Sequence, residues 1–140
     1  MIGEGTRARP DASREACQIL DGMIDRFSTA LVTTVDPRGM VQTRPLPNTN
    51  TEFDGQLWFL SSRGAPLVQD VRAHPEVLIT YAERASGRFV VVTGVARLRD
   101  DPARARELWH PVLASWLPGG PDDPDLALIQ VAVTDVDFWD

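Results

Sequence analysis

Several residue types and patterns that define common protein classes are scarce or missing from this 140-residue chain. It contains one cysteine, Cys17, which excludes an internal disulfide and fits a reducing compartment. No apolar run is long enough to cross a membrane, so no membrane association is predicted. The first twenty residues lack the apolar core of a secretory signal, and we therefore expect a cytoplasmic protein.

Positive charge is also in short supply. The 14 basic residues are outnumbered by 20 acidic residues, which gives a formal net charge of −6 at pH 7. No basic stripe is present to neutralise the phosphates of a nucleic acid, so a nucleic-acid partner is not expected. The motifs GxGxxG and GxxxxGK[ST] are absent, which removes two common nucleotide-binding patterns.

The residue spacings that are typical of metal sites and of hydrolase active sites are missing as well. The two histidines, His74 and His110, lie far apart in sequence and each precedes a proline. We therefore predict no metal site and no Ser–His–Asp constellation. Asp100 and Asp101 are interpreted as a helix cap rather than an acid–base pair, so no catalytic residue is assigned.

What remains is the composition of an ordinary soluble globular protein, with 43% hydrophobic and 24% charged residues. A chain of this length can bury a stable hydrophobic core without disulfide bonds or a structural metal ion. Residues 1–10 are polar and without periodicity, which predicts a flexible tail. Residues 11–140 are predicted to form a single domain.

Short β-branched runs alternate with turn signals along most of the chain. Asp36–Gly39 has Asp, Pro and Gly at the positions that a tight turn favours, which predicts a hairpin between the first two strands. Gly94 lies inside the longest run and predicts a bulge or a close backbone approach. Strands are predicted at 30–35, 40–44, 56–60, 77–81, 89–98 and 126–133, with a short seventh at 136–139.

Helical periodicity appears in three other segments. Apolar residues at steps of three and four predict a helix over 11–27, with Asp11 or Ser13 as its cap. A second helix is predicted from Pro66 to His74, and a third after Asp100. Strands in hairpin order with helices at the flanks predict a mainly β (α+β) fold, an antiparallel sheet closed into a small barrel.

The stretch Gln56–Val77 carries the strongest local signal for a ligand. An apolar strand ends at Leu60, passes through the polar turn Ser61–Ala65 and leads directly into a helix. Such a joint can present backbone N–H groups and hydroxyls to an anion, for example a cofactor phosphate. Many ordinary strand–helix joints share the pattern, so it needs support from elsewhere in the chain.

That support comes from three blocks of residues that together resemble a known family. They are Thr43-Arg44-Pro45-Leu46, the strand–helix–strand from Leu57 to Val77, and a carboxyl-terminal block comprising Leu108–Pro111, Trp116–Gly120, Asp123–Leu126 and Phe138–Asp140. In these blocks the chain resembles the pyridoxamine 5'-phosphate oxidase-like FMN-binding split β-barrels, and within them the general stress protein family. The resemblance extends over nearly the whole chain after residue 12.

The resemblance implies a six-stranded antiparallel split β-barrel with flanking helices, a homodimer with FMN in the clefts between subunits, and a small flavin-dependent oxidoreductase. The first block would lie along the flavin ring, Arg44 would reach the phosphate, and Trp116 of the other subunit would cover the ring. The cofactor site implied in this way comprises Thr43, Arg44, Pro45, Leu46, Leu60, Ser61, Ser62, Arg63, Leu67 and Trp116.

The chain departs from the family pattern in the turn before the second helix. A hydroxyl residue and a phosphate-binding lysine are usual there, whereas Ala65 and Leu67 occupy those positions in this chain. Arg63 could supply the charge from another backbone position. Loss of one charge-assisted contact weakens binding by about 1.5–3 kcal/mol, so we expect weaker FMN binding or a different ligand.

Two alternatives stay open beside the oxidoreductase. One is a non-catalytic module that holds a flavin, a deazaflavin or a haem-type ligand. The other is a divergent relative with weakened or lost cofactor binding that keeps only the dimer. Because one fold hosts many functions, the fold does not choose among these three.

Overall fold

Alternation of inward apolar and outward polar side chains organises the strands of this protein. The computed structural model describes residues 6–8 and 14–139. Its strands are β1 (Thr6–Ala8), β2 (Thr29–Val35), β3 (Val41–Pro47), β4 (Gln56–Ser62), β5 (Glu76–Glu83), β6 (Arg88–Arg99) and β7 (Leu126–Trp139). Its helices are α1 (Arg14–Asp21), α2 (Pro66–Ala73) and α3 (Pro102–Leu108), with 3-10 helices at Ile24–Arg26 and Pro111–Ser115.

All seven strands belong to one antiparallel sheet, with the order β1-β7-β6-β5-β2-β3 and with β4 also paired to β7. The 14-residue β7 makes this branching possible, because one of its edges pairs with β4 along its first half and with β1 near its end. Its other edge pairs with β6. The sheet curls around a common core and leaves β3 and β4 at its two open ends. The predicted split antiparallel barrel is confirmed, with the short β1 added to six main strands.

The hairpin between β2 and β3 forms as the turn signal predicts. The Asp36 side chain accepts hydrogen bonds from the backbone N–H groups of Arg38 and Met40, each at 2.9 Å. Gly39 adopts φ +87°, a conformation that glycine reaches without steric cost. β3 then continues through Pro45 and Pro47, which is tolerated because it is an edge strand.

A bulge lets β6 and β7 stay paired over their full curvature. The register shifts between Thr93 and Gly94, and the extra residue is Thr134 of β7. A Cβ atom on Gly94 would lie 2.6 Å from a backbone oxygen of β7, which only glycine avoids. The irregularity predicted at Gly94 is therefore confirmed, and its cause is a close backbone approach.

Two helices cover the barrel where their sequences predict. In α2, Pro66 lies in the first turn, and the helix ends before His74 and Pro75. In α3, Asp101 caps the helix by accepting a hydrogen bond from the Arg104 backbone N–H at 3.1 Å.

The buried residues form two clusters. The larger one fills the barrel and includes residues of α1, α2 and all strands from β2 to β7. The smaller one packs α3 and the following 3-10 helix against the outside of the barrel through Leu60, Ala105, Leu108, Leu113 and Leu128. None of the described helices is long and apolar enough to span a bilayer.

The carboxyl-terminal strand is longer than predicted. The sequence predicts two strands, at 126–133 and 136–139, whereas β7 is continuous over Leu126–Trp139. The polar pair Thr134-Asp135 resembles a strand break in the sequence. In the structure it marks the bulge, where Thr134 Oγ1 donates a hydrogen bond to the Thr93 backbone oxygen at 3.1 Å.

The amino-terminal helix is shorter than predicted. Instead of one helix over 11–27, α1 covers Arg14–Asp21 and a separate 3-10 helix covers Ile24–Arg26. The chain turns at Gly22, whose N–H donates to the Gln18 oxygen at 3.0 Å. Most of the predicted apolar face is buried, namely Leu20, Met23, Ile24 and Phe27, whereas Ile19, predicted on the same face, is 45% exposed. The predicted caps, Asp11 and Ser13, lie outside the described residues.

The short strand β1 lies within the range that the sequence predicts to be a flexible tail. Thr6–Ala8 pairs with Val136–Phe138 of β7. Three residues carry too little periodicity to signal a strand, and the pairing depends on the free edge that the long β7 offers beyond β4. The other residues of the predicted tail lie outside the described part of the chain.

Candidate functional site

The opening of the barrel between β3 and β4 is bridged by side chains instead of strand pairing. The buried Asn50 donates through Nδ2 to the Trp58 backbone oxygen at 2.9 Å and accepts from the Trp58 backbone N–H at 2.8 Å. Asn48 Nδ2 donates to the backbone oxygens of Ile24 and Phe27. These amide contacts hold the loop after β3 in place, so the two open ends of the sheet have a fixed separation.

Four predicted site residues follow one another on β3, and their side chains alternate between two faces. Thr43 and Pro45 are exposed on the outer face, and Thr43 Oγ1 lies 2.8 Å from Thr33 Oγ1 of β2. Arg44 and Leu46 point to the barrel, where Leu46 is buried. The outer edge of β3 has no strand partner among the described residues, so its backbone groups are available to a ligand.

The Arg44 guanidinium is held in a closed polar network. Nη2 lies 2.9 Å from Asp70 Oδ2, and Nη1 donates to Thr34 Oγ1 at 2.7 Å. The Thr34 hydroxyl in turn donates to the same Asp70 oxygen at 2.7 Å. Asp70 is 2% exposed and Thr34 is 1% exposed, whereas the Arg44 side chain is 22% exposed. The network therefore ties β2, β3 and α2 together and leaves one side of the guanidinium accessible.

Sequence analysis did not identify Asp70 or Thr34, although each leaves a signal. Asp70 lies on the apolar face of α2, three residues after Leu67 and one before Val71, where a helix normally carries an apolar residue. Thr34 continues the inward row of β2 after Ala30 and Val32. A carboxylate and a hydroxyl at core positions predict a buried polar partner, and Arg44 is that partner.

The predicted anion-binding turn connects β4 to α2. Ser61 is buried, Ser62 is half-buried and Arg63 is exposed. The backbone N–H of Ala65 donates to the Ser62 oxygen at 3.0 Å, and no side chain caps the helix. The turn therefore offers hydroxyls and backbone N–H groups, with one cation beside them.

Leu60 and Leu67 flank this turn and are both buried. Leu60 belongs to the outer cluster beneath α3, whereas Leu67 faces the barrel interior. The position where a phosphate-binding lysine is usual thus carries a core side chain. It contributes packing to the barrel and no charge to the turn.

Arg63 is anchored to the loop that precedes β7. Its backbone N–H donates to the Asp125 oxygen at 2.8 Å, and its Nε donates to the Pro124 oxygen at 2.9 Å. It borders a groove of about 180 Å³ that also contains Arg99 and four carboxylates, those of Asp100, Asp101, Asp122 and Asp123. Acidic groups thus outnumber basic ones around Arg63.

Trp116 follows the second 3-10 helix and is 53% exposed. Its backbone N–H donates to the Leu113 oxygen at 3.0 Å, and Leu113 anchors the segment in the outer cluster. Val112 on the same segment is 52% exposed. Two large apolar side chains are thus presented to the surroundings from a well-anchored support.

A wider groove of about 440 Å³ runs beside the loop that bridges the barrel opening. It is lined on one side by that loop and the first 3-10 helix, and on the other by the end of α3. Its polar and aromatic side chains include Arg26, Asn48, Trp109 and His110. A groove of this size with mixed lining can accept part of a small organic ligand.

The shifted pKa values of the described chain belong to three side chains in different parts of the fold. Burial raises the pKa of the Cys17 thiol, which disfavours the reactive thiolate. Backbone N–H donation, first from Met40, lowers the pKa of Asp36 below its usual range. Burial raises the pKa of Tyr81 far above its ordinary value. Among the described residues no group of three or more His, Cys, Asp or Glu side chains could hold a metal ion.

Comparisons with known proteins cover almost the entire described chain. A family model described as "Pyridoxamine 5'-phosphate oxidase like" matches residues 15–140. No curated protein sequence matches significantly.

Solved structures share the fold at low sequence identity. General stress protein 26 from Bacillus anthracis str. Sterne is 19% identical, with 86% of this chain and 91% of that chain covered and a TM-score of 0.76. The general stress FMN/FAD binding protein from Xanthomonas citri is 23% identical, with 87% and 85% covered and a TM-score of 0.69. An F420 reductase is 22% identical, with 83% and 94% covered and a TM-score of 0.62.

Proposed function

The chain belongs to the pyridoxamine 5'-phosphate oxidase-like family, and on that premise we propose that it binds FMN at the open end of the barrel and acts as a small flavin-dependent oxidoreductase of the general stress type. The observation that carries the proposal is the edge of β3 that has no strand partner within residues 6–8 and 14–139, with Arg44 turned toward Asp70 of α2. A structural neighbour described as an FMN/FAD binding protein supports a flavin as the ligand.

In the proposed complex the backbone of Thr43–Leu46 lines the flavin ring. The unpaired N–H and C=O groups of this edge match the hydrogen-bonding rim of an isoalloxazine. Ser61, Ser62 and Arg63 lie in the turn before α2, the helix whose Asp70 contacts Arg44, and together with Arg44 they would hold the ribityl chain and the phosphate. These donors fit a flavin, although the phosphate end has fewer charges than the family pattern provides.

In the proposed complex, the flavin and the protein would have different roles. A bound flavin would supply the electron chemistry. The protein would supply position, hydrogen bonds and exclusion of water, and no acid–base cluster is required of it.

We also propose that two copies of the chain form a homodimer through the outer face of β2 and β3. Leu31 is 43% exposed and Val41 is 67% exposed on this face. Leu31 adjoins Pro45 of β3, and Val41 lies further along the same face, beyond the pair Thr33 and Thr43. Large apolar side chains exposed on a sheet face are typical of a subunit interface. The exposed Trp116 would then cover the flavin ring of the partner.

A second candidate function is a non-catalytic module for a flavin, a deazaflavin or a haem-type ligand, or a relative in which cofactor binding is weakened or lost. Two observations favour it. Ala65 and Leu67 remove a hydroxyl and a cation from the turn, and Arg44 is already paired with Asp70. The F420 reductase among the structural neighbours makes a deazaflavin a ligand to test.

The visible spectrum of the purified protein tests the proposal directly. We expect a yellow protein, or a colourless one that quenches the fluorescence of added FMN, and bleaching of the bound flavin by NADH or NADPH. Binding without bleaching would favour the non-catalytic module. A colourless protein that neither quenches FMN nor alters its spectrum would contradict flavin binding.

Substitution of Arg63 tests the replacement of the missing lysine. Arg63→Ala is expected to reduce FMN affinity by less than about tenfold, because the carboxylates of the adjoining groove already weaken the attraction between Arg63 and a phosphate. Arg84→Ala removes an exposed arginine from a distant turn and should leave FMN affinity unchanged. Nanomolar FMN binding that survives Arg63→Ala would refute the role of Arg63.

A further inference from the structure

We infer that Asp70 determines how strongly the open end of the barrel favours a phosphate-bearing ligand, because its carboxylate already balances the charge of Arg44. The inference rests on the proposed flavin site and identifies the chemical class of flavin that the site accepts. Riboflavin, which lacks the phosphate, is expected to bind nearly as well as FMN.

The first step is the geometry of the pair. Asp70 Oδ2 accepts hydrogen bonds from Arg44 Nη2 at 2.9 Å and from the Thr34 hydroxyl at 2.7 Å. The same hydroxyl accepts from Arg44 Nη1 at 2.7 Å. One carboxylate oxygen, one hydroxyl and two guanidinium nitrogens thus satisfy one another, and the group as a whole carries no net charge.

The second step is that Arg44 is not free to leave this network. Asp70 is 2% exposed, and departure of the guanidinium would leave its carboxylate buried without a cation. The rest of α2 offers no substitute at that site, because Arg72 is exposed and the residues that pack inward are apolar. Arg44 therefore meets a ligand only through the hydrogen-bond donors on its accessible side.

The third step concerns the other cation of the site. Arg63 lies at the rim of a groove that contains four aspartates, and its Nε is engaged by the Pro124 oxygen. Asp122 is paired with Arg106, and the other three carboxylates reduce the attraction of Arg63 for a phosphate. All 14 of the Lys and Arg residues in the chain are arginines, so no lysine is present to replace the missing phosphate-binding lysine.

The consequence is a ligand held mainly by its ring and ribityl chain. A phosphate monoester carries about −1.5 to −2 charges at pH 7, and a neutral arginine–aspartate pair offers it hydrogen bonds without net attraction. In contrast, an Arg44 that faced an amide at position 70 would present an uncompensated positive charge at the same place. Residue 70 therefore sets the discrimination between FMN and riboflavin.

The test is to titrate FMN and riboflavin into four proteins: wild type, Asp70→Asn, Glu76→Gln and the double variant Arg44→Gln/Asp70→Asn. Glu76 is an exposed carboxylate, so Glu76→Gln removes one negative charge, as Asp70→Asn does, without touching the Arg44 network. Wild type and Glu76→Gln should prefer FMN by less than about tenfold, whereas Asp70→Asn should strengthen FMN binding by about tenfold and leave riboflavin unchanged. The double variant should return to the wild-type ratio within about threefold.

Two results would overturn the inference. One is a wild-type preference for FMN above about a hundredfold that the double variant abolishes, because Arg44 would then act as an uncompensated phosphate ligand. The other is an Asp70→Asn protein that folds and binds both flavins equally worse. If Asp70→Asn does not fold, the double variant, in which an amide pair replaces the ion pair, decides by itself.

Inorganic phosphate separates this inference from the proposed function. If none of the proteins binds either flavin, the proposed function is wrong, and thermal unfolding with added phosphate still tests Asp70. Phosphate should then raise the unfolding temperature of Asp70→Asn and not that of wild type or Glu76→Gln. An equal rise in all three would overturn the role of Asp70.

Discussion

Arg44 and Tyr81 both place a polar group in the interior of the same barrel, and their surroundings differ. The Arg44 guanidinium is matched by the Asp70 carboxylate and the Thr34 hydroxyl. The Tyr81 ring stacks on Phe27 with ring centroids 4.9 Å apart, and its hydroxyl has no hydrogen-bond partner among the described residues. One region is a satisfied polar network, and the other is an apolar cluster that contains a single unmatched hydroxyl.

The difference shows that burial of a polar group does not by itself indicate stabilisation. A satisfied network resists the removal of one member, because the remaining members become unpaired in the interior. A hydroxyl without a partner already carries its desolvation cost in the folded state, so its removal lowers that cost. Substitutions at the two regions are therefore expected to change stability in opposite directions.

The largest effect is expected from Arg44→Met. It leaves the Asp70 carboxylate buried without its cation, and the free energy of unfolding should fall by about 3–5 kcal/mol. Urea unfolding followed by tryptophan fluorescence measures the change. A loss below about 1 kcal/mol would show that Asp70 does not depend on Arg44.

Two further variants control this prediction. Arg84→Met removes an exposed arginine and should change stability by less than about 0.5 kcal/mol. Arg44→Met/Asp70→Leu removes both charges and should recover most of the lost stability, because neither partner is left unpaired.

Thr34→Val is expected to have the next largest effect. It keeps the shape of the side chain but removes a donor to Asp70 and an acceptor for Arg44, which should cost about 1–3 kcal/mol. Thr51→Val, in the exposed loop after β3, makes the same chemical change outside the network and should be nearly neutral. Equal stability of the two variants in urea unfolding would disprove a special role of the Thr34 hydroxyl.

The sequence predicts the barrel well because the signals for its strands are local. Period-two burial in β2, the turn at Asp36–Gly39 and the glycine at position 94 act within a few residues of themselves. The end of α1 and the continuity of β7 depend instead on contacts with distant segments. These are the elements in which prediction and structure differ.

The site is predicted less completely, for the same physical reason. The blocks around Arg44 and Ser61 can be recognised from the sequence, and the structure places them at the two open ends of the barrel. Asp70 lies 26 residues from Arg44, and only the docking of α2 brings the two together. The ligand roles of these residues stay predictions, but the pairing changes what is expected of the Arg44 charge.

Tyr81→Phe tests the apolar region, in which the buried hydroxyl has no partner among the described residues. Removal of the unmatched hydroxyl should leave stability unchanged or raise it by up to about 1 kcal/mol, since no hydrogen bond is lost and the stacked ring remains. Urea unfolding beside Thr34→Val compares two buried hydroxyls in one barrel. A loss above about 1 kcal/mol would reveal a partner, such as a buried water, for Tyr81.

The alkaline titration of the same residue gives an independent prediction. Burial raises the folded-state pKa of Tyr81 above its ordinary value of 10.0. The stability that this provides is complete below pH 10 and declines at higher pH, because only the unfolded chain ionises there. Tyr81 is the only tyrosine, so ultraviolet difference absorbance should show no phenolate until the protein unfolds. Ionisation near pH 10 in the folded protein would show that the hydroxyl reaches water.

The smallest effect is expected from Asp36→Asn. The Asp36 carboxylate accepts hydrogen bonds from backbone N–H groups, whereas the Asp70 carboxylate is paired with the Arg44 cation. Donation from Met40, and then from Arg38, lowers the folded-state pKa of Asp36 below its ordinary value of 3.8. Ionised Asp36 therefore stabilises the hairpin above pH 3.8, and this contribution is lost as the pH falls through the lowered pKa.

Asparagine keeps an oxygen for both N–H donors, but it removes the charge and the second oxygen, which accepts from Gln42 Nε2 at 3.2 Å. The stability difference between wild type and Asp36→Asn should therefore be constant near neutral pH and shrink toward zero in acid. Unfolding measured from pH 7 down to pH 3 tests this. A difference that does not change with pH would mean that the turn depends on the shape of the Asp36 side chain rather than on its charge. In that case the ion pair of Asp70 would be the clearer example of a charge that stabilises this barrel.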